Sequence, residues 1–228
     1  MSKIITLYHG STEKIEHPAL GKGKRNNDYG QGFYCTAHRD LACEWASKLQ
    51  GLDGYVNQYE IDTAGLKVLD LSKYGILHWM TILLKNRTFT LTSPISIQGK
   101  EYLLQNYDID ISDYDVIKGY RADDSYFSFA EDFLNNAISV NHLSRAMRLG
   151  KLGIQYVLIS QKAFDALRFI QAAPVENSVY YPLHMVRDTK ARKAYRSSKA
   201  NLTIDTNDIY LLDILRGGIE DGDPRLSR

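Results

Sequence analysis

Apolar positions in this chain come in short runs that stop at turn-forming residues. Ile4 to His9 is one such run, and it ends at Gly10-Ser11-Thr12, so it predicts a strand that presents its last residues at a loop. Asp28-Tyr29-Gly30-Gln31-Gly32 reads as a flexible segment leading into a second short strand, Phe33 to Thr36. From Arg39 to Leu49 the period changes. Leu41, Ala42, Trp45 and Leu49 recur at helical spacing and predict an amphipathic helix, which Gly51 and Gly54 end.

Tyr55 to Asp62 and Lys67 to Leu71 read as a pair of strands, followed by a helix over Lys73 to Asn86 with Ile76, Leu77, Met80 and Leu84 on one face. Residues 87 to 113 are weakly patterned. Tyr114 to Gly119 is a candidate strand that ends in the polar sequence Tyr120-Arg121-Ala122-Asp123-Asp124. Helices over Tyr126 to Asn136 and Ser139 to Leu149 follow, with Ser139 as the N-cap of the second. Gly150 and Gly153 lead into the strand Ile154 to Ser160. Strands scattered among helices without regular β-α-β spacing argue for an α+β fold rather than a doubly wound parallel sheet.

After Pro174 the character changes. Tyr180, Tyr181 and Tyr195, and six basic residues between Arg187 and Lys199, precede a helix-like stretch from Asp208 to Arg216. Residues 1–174 therefore read as the main domain and 175–228 as a C-terminal extension packed on it, with Gly222 to Arg228 as a frayed tail.

Composition sharpens this picture mainly by exclusion. With 44% hydrophobic and 24% charged residues in 228, the chain is an ordinary globular one and not a disordered segment. A net charge of +1 argues against a protein that coats polyanions, but it leaves room for a local basic patch. Two cysteines, Cys35 and Cys43, make no disulfide framework, and the opening MSKIITLYHG lacks a signal-peptide core, so a cytoplasmic setting is expected. The most apolar stretch, Ile76 to Leu84, is too short to cross a bilayer, and no membrane role is expected. No CxxC or HExxH motif is present, so no metal is expected. Gly21 to Asn27 has the wrong spacing for a P-loop, and no GxGxxG follows a strand.

Three segments carry the candidate chemistry: Leu7-Tyr8-His9-Gly10-Ser11, Gly30-Gln31-Gly32-Phe33-Tyr34-Cys35-Thr36, and Ile154-Gln155-Tyr156-Val157-Leu158. Each places polar or aromatic groups on a short apolar strand, and each alone has a bland reading as local packing. In order and spacing the set resembles the ADP-ribosyltransferase fold of the His-Tyr-Glu class, to which diphtheria-type toxins and poly-ADP-ribose polymerases belong. More closely, LYHGS, DYGQGFYCT, the helix bearing Glu44-Trp45-Ala46, YDVIKGYRADD and the strand led by Gln155 are similar to the bacterial family DUF3990, over about residues 4 to 171. The resemblance implies a split β-sheet core and a transferase that uses NAD as its substrate. It also implies a macromolecular acceptor, protein or nucleic acid, and a toxin or phage-defence setting with a possible antitoxin partner.

The chemistry needs a bent NAD, a held nicotinamide and support for positive charge on the ribose as the glycosidic bond breaks. Carried over residue by residue, His9 bonds a ribose hydroxyl, Gly10 lets the backbone approach the carboxamide, and Ser11 completes that segment. Tyr34 stacks on the pyridine, and Tyr29 offers the second wall. Arg25, with Lys22 and Lys24, can meet the pyrophosphate or simply be solvated, and Asp28 can orient the loop or the ribose.

The sequence departs from the class at Gln155, which stands where the polymerases have their catalytic Glu. A carboxamide can position the 2'-hydroxyl but supplies no negative charge and removes no proton, so chain elongation is not expected. Asp123 and Asp124 are the candidates for the missing carboxylate, and equally for an N-cap of the helix that follows. Glu44 reads as half of a surface pair with Lys48, Trp45 as core, and Cys35 as an unactivated thiol facing away from Tyr34. The Arg187 to Lys199 stretch can contact nucleic acid or be a solvated helix face. The activity these features imply is mono-ADP-ribosyl transfer, with NAD hydrolysis or a non-catalytic binding module as alternatives.

Overall fold

A computed structural model describes residues 3–121, 124–147, 153–201 and 205–227. Its centre is one seven-stranded mixed sheet, and eight α-helices lie among the described residues. The strands are β1 (Ile4–Ser11), β2 (Phe33–Thr36), β3 (Gly54–Asp62), β4 (Val68–Asp70), β5 (Val116–Tyr120), β6 (Ile154–Leu158) and β7 (Leu167–Val175). Their order across the sheet is β4-β5-β6-β2-β1-β3-β7, and every pairing is antiparallel except β4 with β5. The α+β expectation holds.

Two halves of the sheet meet at a narrow seam. β1 pairs with β3 along eight residues, and β2 pairs with β6 along all four of its own, but β1 and β2 touch only at Tyr8 and Thr36. Beyond that point the strands part, and the loop that joins them, residues 12–32, has room to fold over the opening. The expected pairing of the third and fourth strands is not found. β3 is sandwiched between β1 and β7, and β4 lies at the opposite edge beside β5, because two helices cross over between β4 and β5.

Those helices are α2 (Ile76–Asn86), whose residues from Leu77 to Leu84 are all buried, and α3 (Pro94–Asn106). α3 lies in the segment without visible pattern because its buried face carries Ser96, Gly99 and Leu103 instead of three large apolar residues. Its start is nonetheless marked: Ser93 accepts from the Ser96 amide at 3.1 Å, and Pro94 occupies the first turn. The remaining helices are α1 (Arg39–Ala46), α4 (Asp124–Leu134), α5 (Val140–Ala146), α6 (Gln161–Asp165), α7 (Asn177–Ala200) and α8 (Leu211–Gly217). Ser139 caps α5 as expected, accepting from the His142 amide at 3.2 Å.

Pro174 does not interrupt the sheet, since it sits in β7, an edge strand, where a missing amide donor is tolerated. The segment after it contributes to the main core. Ala191 and Tyr195 of α7, Leu211 and Ile214 of α8, and Ile219 share one buried cluster with α2, α4 and β5. Nor is the tail from Gly222 frayed: Pro224–Ser227 forms a 3-10 turn, and Leu226 packs on that same cluster. Among the described residues no helix is long and apolar enough to cross a membrane.

Candidate functional site

The opening between β1 and β2 is a cavity of about 670 Å³, the size of a small-molecule site. His9, Tyr34 and Gln155 all line it, so the three strand segments do converge on one cleft. Its charged lining is lopsided: Lys22, Lys24, Lys48, Arg87 and Arg121 face it, against Glu13 and Asp28. Such a cleft favours a polyanionic ligand.

His9 lies just past the seam, where its ring stacks on Phe33 with centroids 4.5 Å apart. Its Nδ1 is 2.7 Å from the Tyr34 carbonyl, an acceptor, so Nδ1 carries the proton and Nε2 is left to accept from a hydroxyl. Burial lowers the His9 pKa against the raising effect of that bond, which keeps the ring neutral at pH 7. The unfolded chain binds this proton more readily, so the neutral ring stabilises the fold above the ordinary pKa of 6.5 and this is lost as pH falls. The melting temperature is accordingly expected to be level above neutrality and to fall as pH drops below the ordinary pKa of 6.5. His9→Gln should remove that part of the profile, and a melting temperature that rises on acidification would contradict a buried neutral ring.

Tyr34 has two tasks. Its ring lines the cleft, and its hydroxyl donates to the Gly30 carbonyl at 2.6 Å while accepting from the Tyr29 amide at 3.1 Å. It thereby closes the turn at Gly30, whose φ of 75° suits a residue without a side chain. Desolvation raises the phenol's pKa, so it remains a neutral donor.

Gln155 is buried, and its Nε2 donates to Asp28 Oδ2 at 3.2 Å and to the Tyr120 carbonyl at 3.3 Å. Asp28 is itself only 6% exposed, and its Oδ1 lies 3.8 Å from the Arg87 guanidinium. A carboxylate therefore stands directly beside the glutamine, on the loop before β2.

Other expected positions fall elsewhere. Tyr29 is not a cleft wall: it is 1% exposed in the core, and its hydroxyl donates to the Tyr120 carbonyl at 2.5 Å. Ser11 closes a local turn with Glu13 and does not line the cavity. Arg25 is exposed outside the cavity, while its neighbours Lys22 and Lys24 line it. Gly10 does line the cleft, but the space beside its Cα is filled by α1, since an added Cβ would lie 1.8 Å from the Ala42 carbonyl oxygen. Asp123 lies outside the described residues. Asp124 opens α4, and its side chain is likewise outside them.

Four contributors escaped the sequence reading. Trp45 lines the cleft as its second aromatic wall instead of sitting in the core, and the Arg121 guanidinium stacks on it 4.5 Å from the ring centroid. Glu44 is no surface residue: it is buried and takes Arg187 of α7 in a two-pronged pair, with Nε at 2.9 Å and Nη2 at 2.7 Å. Arg87 follows the end of α2, where nothing in the local pattern marks it, whereas Arg121 belongs to a conspicuous polar sequence at the end of β5. Cys35 behaves as expected, buried with its thiol pKa raised by desolvation.

An α+β protein whose mixed sheet parts over a cationic cleft is the class that fold and site define. A family model described as a protein of unknown function, DUF3990, matches residues 5–169, and the chain belongs to that family. No curated protein and no solved structure matches it to a significant degree.

Proposed function

We propose that the protein is a mono-ADP-ribosyltransferase that takes NAD into this cleft and transfers ADP-ribose to a macromolecule. The observation that carries the reading is the convergence of His9, Tyr34 and Gln155 from β1, β2 and β6 on one cavity lined by five Lys and Arg side chains. His9 Nε2 accepts from a ribose hydroxyl, the Tyr34 and Trp45 rings hold the pyridine, and Gln155 orients the reacting ribose. Arg87, Arg121, Lys22 and Lys24 supply the cationic surroundings that a pyrophosphate needs, in place of Arg25.

Asp28 takes the part for which the sequence offers Asp123 and Asp124. In the transfer, the bond between ribose and nicotinamide breaks and nicotinamide leaves neutral with the bonding pair. The ribose carbon gains positive charge, the acceptor attacks it, and the acceptor's proton passes to solvent. A carboxylate beside the group that orients this ribose stabilises that charge, and a carboxamide alone does not. In such a site Gln155 places the sugar and Asp28 supplies the field. An enzyme of this kind damages its own cell, so a restraining partner protein is part of the proposal.

Incubation of the purified protein with NAD labelled in the adenine half tests the reading. Label on macromolecules is the expected result. Release of free ADP-ribose alone would make the protein a glycohydrolase, and unaltered NAD would leave only a binding module.

A further inference from the structure

Building on the transferase reading above, we propose that the acceptor is a single-stranded nucleic acid, and that the outer face of α7 holds its phosphates beside the cleft. Charge in this chain is segregated. Between Arg187 and Lys199 six basic residues stand against one acid, Asp188, so this stretch carries +5 in a chain of +1 and the remainder is negative.

The basic residues divide into two sets. Arg187 is taken by Glu44, Arg192 by Asp188 at 2.9 Å and Lys199 by Asp132 at 2.8 Å. Lys190, Lys193 and Arg196 are exposed, and among the described residues no carboxylate lies within reach of them. At 100° per residue these three occupy the side of α7 opposite Ala191 and Tyr195, which are buried against the core. Anchoring of the inner face therefore fixes a row of three free cations outward. Three neighbouring like charges held outward repel one another, and a polyphosphate strand laid along them relieves that repulsion.

Position relative to the cleft supplies the second observation. Arg187 grips Glu44 on α1, and the next residue, Trp45, lines the cavity. The helix that carries the row is thus tied directly to the helix that carries a wall of the cleft, and Arg187, which makes the tie, stands three residues before Lys190. A single strand fits better than a duplex because a base inside a stacked helix cannot reach a reacting ribose.

The test separates binding from transfer. Anisotropy of a labelled twenty-nucleotide single strand, as RNA and as DNA, is titrated with the protein at several salt concentrations without NAD. Lys190→Glu, Lys193→Glu and Arg196→Glu together are expected to weaken binding at least tenfold and to lower the log–log salt slope by about 2, since about three phosphate contacts are lost. An equal reversal on exposed lysines outside α7, Lys3→Glu just before β1 and Lys67→Glu and Lys73→Glu beside β4, should change neither. Equal melting temperatures establish that both variants fold. With labelled NAD added, label is expected on the strand. Unaltered binding in the α7 variant, or label that goes only to added protein, overturns the assignment. Binding with the stated slope but no NAD consumption supports the α7 surface and overturns the transferase reading instead.

Discussion

Asp28→Asn is expected to lower NAD turnover by about a hundredfold or more, the loss typical of removing one oriented electrostatic group from a reacting centre. The substitution keeps the size of the side chain and one oxygen able to accept from Gln155 Nε2, so the ribose-orienting amide stays in place. What disappears is the charge. Arg87 loses a carboxylate that lies 3.8 Å away and keeps a route to solvent, its side chain being 23% exposed, so the melting temperature should fall only modestly. The converse change sharpens the test. Gln155→Glu puts a second carboxylate at hydrogen-bond distance from Asp28, and two such groups cannot both ionise at neutral pH. That variant is expected to lose stability as pH rises. Combining Asp28→Asn with Gln155→Glu leaves one carboxylate in the same pair of positions and should recover much of the lost rate. If Asp28→Asn turns NAD over at the wild-type rate, neither residue reads as proposed.

This pair also shows what the sequence could and could not disclose. The meeting of His9, Tyr34 and Gln155 was legible from the order and spacing of three strand segments taken together, through the resemblance they carry, since each segment alone reads as local packing. The carboxylate partner was expected at Asp123 or Asp124, because they stand in a polar turn after a strand, within the segment that carries the family resemblance. It comes instead from 127 residues upstream, on a loop whose path depends on where β1 and β2 separate. No periodicity encodes that. Arg87 is hidden for the same reason: it reaches Asp28 only because α2 crosses over between parallel strands. The helix boundaries fared better where large apolar residues mark a face, as in α2, and worst where small ones do, as in α3. Glu44 misled because a Glu four residues before a Lys is ordinarily a surface pair, and only the long α7, itself obscured by Pro182 and its basic composition, turns that surface into an interior.

Gly10→Ala is expected to be the most destabilising single substitution at the site, through packing and not through lost ligand contact. A Cβ at this position would stand 1.8 Å from the Ala42 carbonyl oxygen and 2.7 Å from the Ala46 amide nitrogen, both backbone atoms of α1. No rotamer relieves such a clash, so the whole helix must move outward. α1 cannot do this freely. On one side it rests on β3 at Gly54, where an added Cβ would also meet the Ala46 carbonyl oxygen, at 2.7 Å, and on the other Glu44 ties it to Arg187. Shifting it opens the core around Ala42 and Cys43, strains the pair between buried Glu44 and half-buried Arg187 and displaces Trp45 from the cleft wall. Overpacking against rigid backbone together with a weakened pair sums to about 3 kcal/mol. For a chain of this length that corresponds to a drop of about 10 °C in melting temperature. Gly75→Ala is the matched control, because a Cβ there meets nothing within 4 Å, and its cost should stay below about 1 kcal/mol. Equal melting temperatures for the two variants would mean that α1 does not lie on β1 as described, and with it would go the aromatic wall that Trp45 gives the cleft.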